Sequence, residues 1–338
     1  MERKFKINTF EMNLQLFAGN LNTNVTTQTG EGQDLSPEMK TFYSKYLIDT
    51  AEPKLVHDQF AQKHDIPKNG GKTIEFRKYD SLPKATTPLV EGVTPDGRKL
   101  SVTKIEATVD QFGDYITLSD MLILTAIDNN LVQATKLLGS QSGRTLDTIT
   151  REVINGGTNV QYANGEVTSR EALTVDHKLT VAAIKRAVRF LKAQNAETID
   201  GDYVAIIHPD TEYDIMNDDE WMYANMYAGS TRLFEGEIGK IAGVRFVSTT
   251  EAKIFPAATS SGKDVYSTLV LGDNAYGTTG VEGGGLQHIV KQLGSGGTAD
   301  PLNQRATVGW KAVKTAVRLV EPYMVRIETC STFDSGAN

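Results

Sequence analysis

The chain has 338 residues, 39% hydrophobic and 8% aromatic, enough to bury a core in one large or two modest domains and too apolar for global disorder. Only 23% of residues are charged, and no apolar run approaches the roughly 20 residues of a membrane span, which excludes a transmembrane helix. The formal charge is −7, and a single cysteine, Cys330, leaves neither an intrachain disulfide nor a Cys-based metal site.

Charge is unevenly spread. Residues 61 to 104 carry nine Lys/Arg against five acids, net +4, whereas residues 196 to 300 carry sixteen acids against six bases, net −10. The first ten residues are charged throughout and lack the apolar core of a secretory signal, so synthesis in a reducing cytoplasm is expected.

Residues 1 to 35 are rich in Asn, Thr, Gln and Gly, with one apolar island, Leu14-Gln15-Leu16-Phe17-Ala18. Such a segment cannot fold alone and reads as an arm that orders on another surface. Ser36-Pro37-Glu38 opens a helix to about Ile48. Thr73 to Arg77 and Ser101 to Val109 then alternate as strands. Between them, residues 81 to 100 hold Pro83, Pro88, Gly92, Pro95 and Asp96-Gly97, so the expected unit is a long projecting hairpin without a core of its own.

Ser119 caps a short apolar helix. Asp128-Asn129-Asn130 then starts the strongest helical signal, with Leu131, Ala134, Leu138, Ser142, Leu146, Ile149 and Val153 on one face and Asn155-Gly156-Gly157 as the stop. Its length would be about 39 Å. Gly139 and Gly143 inside it suggest close packing or a bend. Thr180 to Ala193 is a second amphipathic helix, and Tyr203 to Ile207 a buried strand that His208-Pro209-Asp210 turns into a helix. Further strands are expected at Gly243 to Val247, Val265 to Leu271, Leu286 to Leu293, Thr307 to Leu319 and Tyr323 to Glu328. The fold class is α+β, and no internal repeat is visible.

The search for chemistry yields little. The five histidines are scattered, without the paired spacing of a helical zinc site. His208, after an apolar strand, is the one placed as α/β active sites are, and with Asp210 or Asp214 it defines a hydrolase alternative; a turn histidine is the favoured role. Thr259-Ser260-Ser261-Gly262-Lys263 lacks the first glycine and the Mg-ligating hydroxyl of a phosphate loop. Gly139-Ser140-Gln141-Ser142-Gly143 has no serine at the centre of a nucleophile elbow. The runs Gly283-Gly284-Gly285 and Gly294-Ser295-Gly296-Gly297 read as turns, Asp218-Asp219-Glu220 as a solvated face, and Asn24-Val25-Thr26 as a glycosylation pattern of little weight without a signal. No catalytic residue, cofactor or metal is expected.

The order arm, helix, basic hairpin, long helix, acidic mixed region and closing strands resembles that of the tailed-bacteriophage major capsid (coat) proteins. Local blocks also resemble one coat-protein family within that fold: Met12 to Ala18, Tyr203 to Asp210, Gly236 to Val247 and Gly309 to Ala312. The first of these would make Met12 the initiator. The resemblance implies an N-terminal arm at 1–35, a helix leading into the P-domain at 36–60 and an extended hairpin, the E-loop, at 61–115. A peripheral P-domain with a spine helix follows at 116–195, then an axial A-domain at 196–300 and closing P-domain strands at 301–338. It implies self-assembly of hexamers and pentamers into an icosahedral shell around double-stranded DNA in the virion, assembled in the host cytoplasm. Scaffolding, portal and decoration proteins would be separate chains. An encapsulin-like compartment shell is a further alternative.

The expected assembly surface comprises the hairpin cations Lys72, Arg77, Lys78, Lys84, Arg98, Lys99 and Lys104, with Leu14, Leu16 and Phe17 of the arm. Covalent cross-linking, known for some members, is not carried over to Lys78, Lys84 or Lys99. The acidic 196–300 region is expected to repel packaged DNA, giving no specific binding.

Overall fold

The structure, a computed structural model, describes residues 55–79, 82–94, 96–125, 130–163, 165, 167–228, 239–297 and 300–333. The expected arm and the helix at Ser36 to Ile48 lie outside the described residues.

In chain order the strands are β1 (Gln62–Lys63), β2 (Thr73–Tyr79), β3 (Val102–Thr108) and β4 (Asp110–Ser119), followed by helices α1 (Asp120–Thr125) and α2 (Asn130–Asn155). Then come β5 (Val160–Tyr162), α3 (Val181–Ala193), β6 (Tyr203–Ile207), α4 (Pro209–Met216), α5 (Asp219–Ala228), β7 (Lys240–Ile241), β8 (Val244–Ser248) and β9 (Ile254–Phe255). The chain closes with β10 (Val265–Leu271), β11 (Tyr276–Thr279), β12 (Gln287–Lys291), β13 (Arg305–Arg318) and β14 (Met324–Thr329).

Two sheets organise the molecule. In the first, β13 pairs antiparallel with β4 on one side and with β12 and then β11 on the other, and β1 adds parallel to β11. The 26-residue α2 packs on this sheet through Leu138 and Leu146 against Val308, Trp310 and Ala312. Gly139 and Gly143 are both buried in the same helix, which runs on through them. Gly309 faces Tyr115 across the ladder, where an added Cβ would lie 2.8 Å from the tyrosine Cβ and 2.9 Å from the Asp114 carbonyl oxygen, so the close approach of the two strands needs that glycine.

The second sheet runs β5-β14-β10-β6-β8-β7, with β9 also on β10. Every residue of β6 is buried because both faces are covered, which is why its sequence is an apolar run without alternation. Tyr203, Ala205 and Ile207 meet Ile184, Ala187 and Leu191 of α3, while Val204 and Ile206 meet Ile154, Leu269 and Tyr276 on the other side. The Thr180 hydroxyl caps α3 by accepting from the Ala183 amide.

Residues 110–115 pair with β13. Strands β11 and β12 join the sheet under α2, and β14 lies between β5 and β10 of the other sheet. Local alternation marks a segment as a strand, but its partner is chosen by contacts far along the chain, such as Tyr276 with Arg318.

Candidate assembly surfaces

The hairpin is a two-stranded unit, β2 against β3, in register from Thr73 with Thr108 to Tyr79 with Val102. Among the described residues it pairs with no third strand, and all described residues from 82 to 100 are exposed. Lys72, Arg77, Lys78, Lys84, Arg98, Lys99 and Lys104 are exposed too, so the structure gathers every expected cation on this one limb. Two of them are neutralised within the hairpin. Arg77 pairs with Glu75 at 2.7 Å, and Lys104 bridges Glu75, at 3.0 Å, and Glu106. Hydrogen bonds from Arg77 first and Lys104 second hold the Glu75 carboxyl below the usual carboxylate range. Leu14, Leu16 and Phe17 lie outside the described residues.

Sequence reasoning counted the apolar residues of this limb as too few for a core and did not weigh their exposure. Tyr79, Leu82, Leu89, Val90, Val93, Leu100 and Val102 are all exposed, Leu89 to 78%. Concentrated apolar exposure of this kind marks an interaction surface.

Two further features follow on the same subunit. Helix α1 is capped by the Ser119 hydroxyl accepting from the Leu122 amide, yet none of its residues is buried, and Met121, Leu122, Ile123 and Leu124 face solvent. Along α2, a groove of about 490 Å³ is lined by Phe112, Leu137, Gln141, Arg144, Ile149 and Glu251.

Beneath these surfaces lies a polar cluster that no local motif announces. His57, fully buried, places Nδ1 2.6 Å from Asp147 of α2 and donates its amide to the same carboxylate at 2.8 Å. Asp58 accepts from the Thr150 hydroxyl at 2.6 Å and pairs with Lys314 of β13, which also donates to the Leu146 carbonyl. Burial lowers the Lys314 pKa, and Asp58 opposes that shift. The cluster ties the entering chain, the long helix and β13 into one body.

His208 serves as the N-cap of α4, its Nδ1 accepting from the Asp210 amide at 3.2 Å. Burial lowers its pKa, with the Asp210 charge opposing. Asp210 accepts from the Tyr266 hydroxyl at 2.7 Å, and Asp214 accepts from the amide and hydroxyl of Thr332. Two residues of the hydrolase alternative therefore hold other elements in place, Asp210 through Tyr266 and Asp214 through Thr332. Thr259 to Lys263 closes a turn in which the Thr259 hydroxyl accepts from the Lys263 amide. Asp218, read as part of a solvated face, accepts instead from the Val181 amide at the start of α3, where the helix dipole favours a negative charge.

A family model described as phage capsid protein matches residues 102–325. No curated protein matches the chain. Among solved structures, the capsid of Ralstonia phage GP4 is similar at a TM-score of 0.63 and 17% identity, over 82% of this chain and 89% of that one. The cyanophage Pam1 capsid gives 0.66 and 14%, over 84% and 93%. The capsid of cyanophage P-SCSP1u gives 0.62 and 15%, over 81% and 87%. These structural likenesses establish the fold, and the family implies a structural role. With a model spanning β3 to β14 and the two-sheet body and projecting hairpin just described, the chain belongs to the phage capsid protein family.

Proposed function

We propose that this chain is the major capsid subunit of a tailed phage and builds an icosahedral shell of hexamers and pentamers around double-stranded DNA. The observation that carries the reading is the hairpin, which holds seven large apolar side chains in water on a two-stranded ribbon. A lone hairpin is marginal in water, so this limb gains its stability by lying on another subunit. Exposed ion pairs contribute about 0 to 1 kcal/mol each, so the five cations that make no ion pair among the described residues of the hairpin guide register, while the apolar tip supplies most of the contact energy. Contacts that are individually weak also let misplaced subunits leave, and their repetition over a closed shell makes the whole stable. The shell is the virion capsid, assembled in the host cytoplasm, with scaffolding, portal and decoration proteins as separate partners.

Deleting residues 81–100 tests this. The expected product is a soluble, folded subunit that forms no shells in negative-stain electron microscopy. Particles of normal size and yield from the deletion would refute the role of the hairpin.

A further inference from the structure

Strand β4 pairs with β13 on one side, and among the described residues no strand pairs with its other side. Antiparallel pairing turns the N–H and C=O of alternate residues away from the partner. The Tyr115 amide is one of these, donating to the Asp114 carboxylate at 2.8 Å rather than to β13, so by alternation Gly113 and Thr117 turn their backbone groups the same way. Edge strands are commonly kept short or guarded by lysine or proline, because an unpaired edge is a template for another strand. At ten residues, with neither lysine nor proline, β4 has no such guard.

The groove of α2 runs beside this strand. Phe112 of β4 forms one wall, and Gln141 ties α2 to the sheet by donating to Asp114 at 2.6 Å and accepting from the Trp310 indole at 3.3 Å. Leu137, Ile149 and the Arg144–Glu251 pair complete the lining, and Leu137 is 66% exposed. A further strand on β4 would lie next to Phe112 and turn every second side chain toward α2. Edge and groove therefore suit one occupant, an extended segment with a single apolar face.

The chain contains such a segment outside the described residues. In Met12-Asn13-Leu14-Gln15-Leu16-Phe17-Ala18, Met12, Leu14, Leu16 and Ala18 alternate with Asn13, Gln15 and Phe17, and no side chain is charged. The stretch between Ala18 and Leu55 can extend about 120 Å, farther than a body of this size spans. Its own subunit takes up the entering chain elsewhere: His57 and Asp58 bond Asp147 and Thr150 of α2, and β1 follows beside β11, across the sheet from β4. A neighbour's segment meets β4 without crossing that body.

We infer that residues 12–18 of a second copy of this chain add as a strand to the open edge of β4 and turn Met12, Leu14 and Leu16 into the α2 groove. Backbone pairing supplies the affinity and the groove sets the register, as in other strand additions. The inference rests on the shell reading and gives the arm a receiving site separate from the hairpin.

Cross-linking tests it. Leu16→Cys/Leu137→Cys puts one thiol on the arm and one on the exposed groove wall, while Cys330 is buried. A short bismaleimide added to assembled particles should join subunits into a ladder on a denaturing gel, far beyond either single variant. A link between the two positions within one subunit, identified by mass spectrometry, gives the groove to the subunit's own arm and overturns the inference, as does the absence of any link. Linking in Leu89→Cys/Leu137→Cys but not in the arm pair gives the groove to the hairpin and overturns it too. Leu14→Ser/Leu16→Ser should fold, judged by circular dichroism, and raise the concentration needed for assembly at least tenfold, the loss of two buried leucines. Assembly at the wild-type concentration contradicts the inference. If wild-type protein forms no shells, the shell reading fails separately, and the arm-to-groove link must then appear in small oligomers seen by sedimentation.

Discussion

Replacing Leu89, Val90 and Leu100 together by Ser separates what the hairpin does for the subunit from what it does for the shell. These side chains are 78%, 68% and 71% exposed. Full burial of such a side chain contributes about 1.5 to 3 kcal/mol, so the fifth to third already covered is worth roughly 0.5 kcal/mol each. The dissociated subunit should lose no more than about 1.5 kcal/mol, a melting shift of a few degrees at most. In a shell the uncovered remainder would be buried, about 1 to 2 kcal/mol per side chain and some 4 kcal/mol per subunit, nearly three orders of magnitude in association. Scanning calorimetry of the dissociated subunit and light scattering against concentration measure the two quantities. A triple variant that assembles at the wild-type concentration would refute the reasoning, as would one whose subunit melts many degrees early.

Four other substitutions probe the body. Leu146→Asp buries an unpaired charge against Val308 and Trp310 and should cost about 3 kcal/mol or more in urea denaturation, whereas Ile149→Asp, on the groove side of α2, should cost roughly 1; equal losses would contradict this packing. Lys314→Met strands the Asp58 carboxylate and should cost about 3 to 5 kcal/mol, with part regained in Asp58→Asn/Lys314→Met; a loss below about 1 would show the pair to be dispensable. Because burial lowers the folded pKa of His208 below its unfolded value, stability should be full above about pH 6.5 and fall as the unfolded chain takes up the proton at lower pH. His208→Asn keeps a capping acceptor without the titration and should flatten that fall in part, since His288 is shifted the same way by burial. An unchanged acid profile would remove His208 from the explanation.

Much of the body was legible because its signals are local. The α2 helix shows its 3.6-residue period and an Asn-Gly stop, α3 its threonine cap, and β6 its unbroken apolar run. What escaped depends on pairs that chain distance hides. His57 and Asp147 are 90 residues apart, and the fully buried Glu328 meets Arg170 158 residues away. Periodicity put Ile149 on the same face as Leu146, but a helix face has edges, and Ile149 falls at one of them, partly exposed. The hairpin cations were visible as charges, while the pairing of Glu75 with both Arg77 and Lys104 needed the strand register. The apolar tip residues were visible too. Only the folded chain shows that they stay exposed rather than forming a weak core.

Sedimentation velocity with negative-stain microscopy of the purified chain, across a range of protein and salt concentrations, addresses the shell role most directly. Closed particles should appear above a threshold concentration, and proteolysis should cut the hairpin in free subunits but not in particles. A monomer at every condition, with a hairpin that resists protease on its own, would contradict it.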